Sequence, residues 1–139
     1  MIEIQYQITE QEYNNIRKNI NWREYDSERV KEALKNTKYL VKAVDEGKAI
    51  GMARAISDGI YNTILDVAVC KEYQNKGIGM NLMKELLDLI KKDLPQNEKA
   101  TIFLIAENEQ AEKFYHKLDF MKVPTEEVGS GMIKIIKNI

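Results

Sequence analysis

The chain has 139 residues, 44% hydrophobic and 31% charged, which suits one compact domain with enough apolar material for its own core. Its formal charge of −1, from 21 basic and 22 acidic residues, lacks the basic excess of a dedicated nucleic-acid binder. A single cysteine, Cys70, excludes an intrachain disulfide and, beside a single histidine, His116, argues against a Cys/His zinc site. A reducing compartment, the cytoplasm, is the expectation.

The N-terminus MIEIQYQITEQE has neither the basic nor the apolar region of a signal peptide, and no apolar run approaches the ~20 residues that cross a bilayer. Ile2, Ile4, Tyr6 and Ile8 alternate with polar residues, as in a half-buried strand. Thr9 and Glu12 form a capping-box pair that opens a helix to about Asn19, and Ser27 is the N-cap candidate for a second helix, 28–36. Tyr39–Val44 and Ala49–Ile56 read as strands around a Glu46-Gly47-Lys48 turn, with a second turn at Ser57-Asp58-Gly59.

Ile64–Cys70 is a continuous apolar run suited to a central strand. A long amphipathic helix follows from Gly77 to Leu94, with Ile78, Leu82, Met83, Leu86, Leu87 and Ile90 on one face and Pro95 ending it. Ala100–Ile105 reads as a further strand, Asn108 caps a helix to about Leu118, and Met132–Ile136 offers a final short strand. The sum is one α/β domain, residues 1–139, with a mixed sheet.

Chemistry concentrates in the stretch from Val67 to Gly79, where a buried strand turns through a glycine-containing loop into the long helix. Glycines allow close backbone approach to a ligand, and the free N–H groups of a first helical turn make an anion site. Lys76 adds a mobile cation. A Walker A loop is absent, and Leu82 stands where a dinucleotide-binding fingerprint needs its third glycine. An ordinary glycine turn before a helix is the plain alternative.

Gln74-Asn75-Lys76-Gly77-Ile78-Gly79 matches the Q/R-x-x-G-x-G/A signature of the GNAT N-acetyltransferases, and Asn108–Tyr115 fits their N-x-x-A-x-x-F-Y block. The chain therefore resembles that superfamily, most closely over residues 64–120. It departs at Asp119, where members usually carry Gly, and at Lys71, where many carry Pro. The resemblance implies a mixed, mostly antiparallel sheet flanked by helices, with splayed central strands. It implies transfer of an acetyl group from acetyl-CoA to a primary amine, of a small molecule or a peptide, by direct attack in a ternary complex. Neither nucleic acid nor membrane is implied as a partner; homodimers are common in the family.

By the same resemblance, backbone groups of Val67 and Val69 pair with the pantetheine arm, and the amides of Gln74, Asn75, Lys76, Gly77, Ile78 and Gly79 hold the pyrophosphate. A backbone N–H near Val67 polarises the acetyl carbonyl. Asn108 and Tyr115 contact the cofactor, and Tyr115 is the general acid for the departing thiolate. Asp66 matches a position often acidic and is the first candidate for the base, with Glu107 second; an orienting or structural carboxylate is the alternative for Asp66. Trp22 and Tyr25 occupy the region that often covers the acceptor, and Asp58, with Arg54, Ser57 and Tyr61, is placed to face it. Cys70 reads as a small buried hydrophobe. The competing functions are a non-catalytic acyl-CoA-binding or sensing module on the same fold and a nucleotide-binding domain of another class.

Overall fold

The computed structural model describes residues 1–138, and within them the chain forms two compact units, Met1–Leu104 and a second from Ile105 onward. No helix of the described residues is long and apolar enough to cross a membrane.

The first unit is built on a five-stranded sheet in the order β1 (Ile2–Gln5), β2 (Tyr39–Asp45), β3 (Lys48–Ser57), β4 (Tyr61–Val69) and β5 (Thr101–Phe103). The first four pair antiparallel in a meander, and β5 joins β4 in parallel. Helices α1 (Glu10–Asn19) and α2 (Ser27–Lys35) lie between β1 and β2, and α3 (Ile78–Asp93) lies between β4 and β5.

Strand alternation assigns the two faces. Tyr39 donates its hydroxyl to Asp93 of α3, whereas Lys42 donates to Glu12 of α1. Even and odd positions of β2 thus face different helices. Both parities of β3 are buried from Ala49 to Ala53, as a sheet covered on two sides requires. Leu82, Met83 and Leu86 of α3 are fully buried, each contributing about 1.5–3 kcal/mol of burial. The helix comes so near the sheet that a Cβ on Gly51 would sit 3.1 Å from Leu82 Cδ1 and 3.2 Å from the Ala68 carbonyl oxygen.

The Thr9–Glu12 capping box forms, and the same Glu12 carboxylate receives both hydrogen bonds from the buried Lys42 ammonium. The α2 cap differs from expectation by one residue. Asp26 is the N-cap, its carboxylate accepting the Arg29 N–H, and Ser27 becomes the first helical residue and donates to Glu10. Both residue types cap well, and the carboxylate takes the position. At the other end of the unit, the expected strand at residues 100–105 shortens to Thr101–Phe103.

The second unit contains α4 (Glu109–His116), capped by Asn108 through the Ala111 N–H. Asp119 stands in the left-handed region at φ 67°, a conformation that Gly adopts most easily and Asp tolerates. The expected strand at Met132–Ile136 does not form; Met132, Ile133, Ile135 and Ile136 are exposed.

Candidate functional site

Between Met52↔Ala68 and Arg54↔Leu65 the register of β3 and β4 shifts, so that Asp66 and Val67 both oppose Ala53. Asp66 takes φ 54°, a left-handed value within a strand. This is a β-bulge, which bends its strand and re-aims the side chain it carries. On the other edge of β4, pairing with β5 stops at Thr63↔Phe103. From Ile64 to Val69 that edge has no strand partner among the described residues. The expected splay of the central strands is present, with the backbone of Val67 and Val69 on the unpaired stretch.

The strand leads through a short 3₁₀ turn, Lys71–Tyr73, into the loop before α3. Gln74 ties the loop back by donating its side-chain amide to the Val69 carbonyl at 2.9 Å, and Tyr73 donates its hydroxyl to Asp45 at 2.6 Å. Asn75 and Gly77 both take positive φ, 64° and 81°. Lys76 extends its ammonium to 5.7 Å from the Tyr73 ring centroid.

Helix α3 begins differently from its neighbours. Thr9, Asp26 and Asn108 cap α1, α2 and α4 with side-chain oxygens. Gly77 provides no side-chain cap to α3, and no acidic residue occupies its first turn. A Cβ built on Gly77 meets nothing within 4 Å. The first-turn amides of Ile78 and Gly79 therefore stand at the positive end of a sixteen-residue helix with neither a side-chain cap nor an acidic residue in that turn.

Beside the bulge is a cleft of about 260 Å³, walled by Tyr13 and Arg17 of α1, Tyr25 before α2, Arg29 of α2, Arg54 of β3 and Asp66 of β4. Asp66 is the hub. Its Oδ1 accepts from Arg17 Nη1 at 2.6 Å, and its Oδ2 accepts from Arg54 Nε at 2.7 Å and from the Tyr13 hydroxyl at 2.6 Å. Burial and the Asp66 carboxylate together raise the Tyr13 phenol above its ordinary pKa, so it remains a donor at neutral pH. Both Asp66 oxygens are thus engaged by partners within the chain.

The segment from Asn21 to Tyr25 is held against α1. Asn14 receives the Tyr25 N–H and donates to the Tyr25 carbonyl, and Arg17 Nε donates to the Arg23 carbonyl at 2.6 Å. The Arg17 guanidinium stacks among Tyr13, Trp22 and Tyr25, 5.0–5.6 Å from their ring centroids. Tyr25 reaches the cleft, while Trp22 backs Arg17 and is not among the lining residues. Asp58 stands in the β3–β4 turn, its carboxylate accepting the N–H groups of Ile60 and Tyr61; those bonds hold its pKa below the ordinary range. It does not line the cleft. Tyr13, Arg17 and Arg29 escaped the sequence reading. The Tyr13–Arg17 spacing of four on α1 was the available signal, since it puts both on one face.

In the second unit, the Tyr115 ring packs edge-on against Phe114 and Phe120, with centroids at 5.1 and 5.8 Å. Burial, and then the charge of the exposed Glu107, push its phenol up to about 12. Neither cause is a hydrogen bond, so the hydroxyl is not tied to a protein partner among the described residues. Asn108 serves as the α4 cap. Cys70 is buried, and that burial raises its thiol, as befits a core side chain.

Residues 7–137 match a family model described as an acetyltransferase (GNAT) domain. An uncharacterized N-acetyltransferase, ycf52, of Porphyra purpurea is 34% identical over 110 residues, covering 76% of this chain and 60% of that protein. The chain thus spans less than two thirds of that relative's length. A probable acetyltransferase of Staphylococcus aureus, described as of unknown function, is 31% identical, with a TM-score of 0.82 over 98% of this chain and all of the other. A GNAT family acetyltransferase of Streptococcus pneumoniae is 26% identical, with a TM-score of 0.81 over 99% of this chain and all of the other.

Proposed function

Since the chain belongs to the GNAT acetyltransferase family, we propose that it moves an acetyl group from acetyl-CoA to a primary amine, both bound at once, with residues 1–139 acting as one acetyltransferase domain. The observation that carries this is the junction of β4 and α3: a bulged strand with an unpaired edge feeds a helix whose first amides have no cap. The family model runs through both compact units, which supports treating them together.

These features fit a pantetheine diphosphate. The amides from Asn75 to Gly79 are suited to the diphosphate, with Lys76 as a mobile counter-charge and open space above Gly77, whereas the Gln74 N–H is taken by the Lys71 carbonyl. The free edge at Val67 and Val69 suits the amide-bearing arm, which pairs as a strand would. Acetyl-CoA supplies an activated acyl group on a good leaving thiolate.

An alkylamine has a pKa near ~10.4 and must shed a proton before its lone pair attacks the carbonyl. As the C–N bond forms, the C–S bond breaks and the carbonyl oxygen gathers charge, for which the Val67 N–H is the assigned donor. Tyr115 is the assigned acid, giving its phenolic proton to the sulfur. Asp66 sets the positions of Arg17, Arg54 and Tyr13 in the acceptor cleft, while Glu107, an exposed carboxyl near enough to act on the Tyr115 phenol, is the better candidate to accept the amine's proton through water. Tyr25 lines the acceptor site, Trp22 braces it, and Asp58 shapes the turn beside it. The buried lone thiol of Cys70 suits a reducing compartment such as the cytoplasm.

The test is thiol release from acetyl-CoA in the presence of an amine panel. Acceptor-dependent release supports the reading. Tight binding of acetyl-CoA with no turnover of any amine favours the non-catalytic module, and thermal protection by ATP or NAD but not CoA removes the assignment.

A further inference from the structure

We propose that the acceptor is a small amine bearing an acid group, a carboxylate or a phosphate, and that Arg29 binds that group in the cleft beside Asp66. This rests on the acyl-transfer reading and adds an acceptor class to it.

The charge of the cleft is opposite to that of the chain. Three guanidiniums, Arg17, Arg29 and Arg54, line it against one carboxylate, Asp66, so three positive charges less one negative leave a local surplus of two. Arg17 and Arg54 are spent on structure. Besides sharing Asp66, Arg17 donates to the Arg23 carbonyl and Arg54 to the Thr37 hydroxyl at 3.0 Å. Arg29 is different. It is exposed, and its guanidinium has no ion pair among the described residues. The nearby Asp26 is committed to the helix cap through the Arg29 backbone N–H.

Tyr25 holds Arg29 in place. Its ring centroid lies 4.9 Å from the Arg29 guanidinium carbon, 5.0 Å from that of Arg17 and 4.7 Å from that of Arg23. Three cations drawn to one ring repel each other, and an anion among them relieves that repulsion. A planar guanidinium with its edge free offers paired donors matched to a carboxylate or phosphate. The cleft volume of about 260 Å³ lies just under the ~300 Å³ at which small-molecule sites begin, which restricts it to a small acceptor.

The same surplus helps the chemistry. Neighbouring positive charge lowers the pKa of an ammonium group and so raises the fraction of free amine that can attack. A polyamine, with several ammonium groups and no anion, meets net repulsion here, since the one lining carboxylate, Asp66, is already shared by Arg17 and Arg54.

Matched acceptors provide the experiment. Thiol release is followed with tyrosine against tyramine, which differ by a carboxylate, with phosphoethanolamine against ethanolamine, which differ by a phosphate, and with spermidine. In at least one pair the acidic member is expected to show a kcat/KM about tenfold or more above its neutral partner, and the pair that responds identifies the acid. Arg29→Gln is expected to reduce that preference about tenfold to hundredfold through KM, with Arg29→Lys retaining part of it. Faster turnover of the neutral members or of spermidine overturns this inference while leaving acyl transfer standing, as does an unchanged preference in Arg29→Gln. No thiol release with any amine, despite acetyl-CoA binding, sinks the acyl-transfer reading and this inference together.

Discussion

Arg17 Nη1 lies 2.6 Å from Asp66 Oδ1, joining α1 to the bulge of β4 through two side chains that are each about one-tenth exposed. With Arg54 on the other oxygen, the pair locks the first helix, the central strand and its neighbour into one wall. Removing the shared carboxylate leaves two buried guanidiniums uncompensated. Asp66→Ala is therefore expected to cost about 3–5 kcal/mol of folding stability, measured by urea denaturation. Asp66→Asn, which keeps the shape, is expected to retain the acidic limb of the kcat/KM profile. Loss of that limb in a folded Asp66→Asn protein would restore Asp66 as the base.

The loop before α3 offers a cleaner separation of stability from binding. Gly77 takes φ 81° with open space where a Cβ would go. An alanine there costs about 1–2 kcal/mol of backbone strain without a steric clash. Its methyl group also intrudes on the amides assigned to the diphosphate. Gly77→Ala is expected to raise the KM for acetyl-CoA about tenfold or more, and Gly77→Asn to raise it at least as far with a smaller loss of stability, because its side chain is larger but tolerates the left-handed region. Steady-state kinetics at saturating acceptor give the answer. An unchanged KM in a folded Gly77→Ala protein removes the diphosphate from this loop.

Local signals in the sequence were reliable where the deciding partners lie close along the chain. Thr9 and Glu12 are three residues apart, and the box they predict is formed. The apolar spacing of Ile78, Leu82, Met83, Leu86 and Ile90 gives the buried face of α3. Asp66 and Arg54 were singled out, but the α1 partners of Asp66 were not: Arg17 lies 49 residues away and Tyr13 lies 53 away. No periodicity reports a pairing of that range. Met132–Ile136 shows the converse failure. An apolar run states that a segment can line a sheet, but a strand exists only when an edge accepts its hydrogen bonds.

Alkaline titration tests two phenols, one buried and one partly buried. Tyr39 and Tyr115 are both raised to about 12, Tyr39 by burial and then by its hydrogen bond to Asp93, Tyr115 by burial and then by Glu107. Both lie above the unfolded value near ~10, so the folded state holds these protons more tightly. Their contribution to stability is complete below pH ~10 and is lost as pH rises toward about 12. The urea midpoint is expected to hold steady at mildly alkaline pH and then fall above ~10, in step with phenolate absorbance. Tyr39→Phe should lessen the slope. A midpoint that falls as steeply in Tyr39→Phe as in the parent excludes Tyr39 as a source.

Tyr115→Phe keeps the ring that packs on Phe114 and Phe120 and removes only the hydroxyl. If that hydroxyl gives its proton to the departing thiolate, kcat should fall about 100-fold or more, the lower end of what a positioned general acid supplies. The KM for acetyl-CoA should change by no more than about twofold, because the hydroxyl acts in the transition state and not in binding. The raised phenol also predicts the shape of the pH profile. With its pKa at about 12, the donor stays protonated through neutral and mildly alkaline pH and imposes no alkaline limb there. A fall in kcat between pH ~8 and ~9.5 that vanishes in Tyr115→Phe would mean that the phenol ionises near its ordinary pKa during turnover. Equal losses in kcat and in cofactor affinity would make Tyr115 a packing residue, and the thiolate would then have to leave unprotonated or take its proton from water.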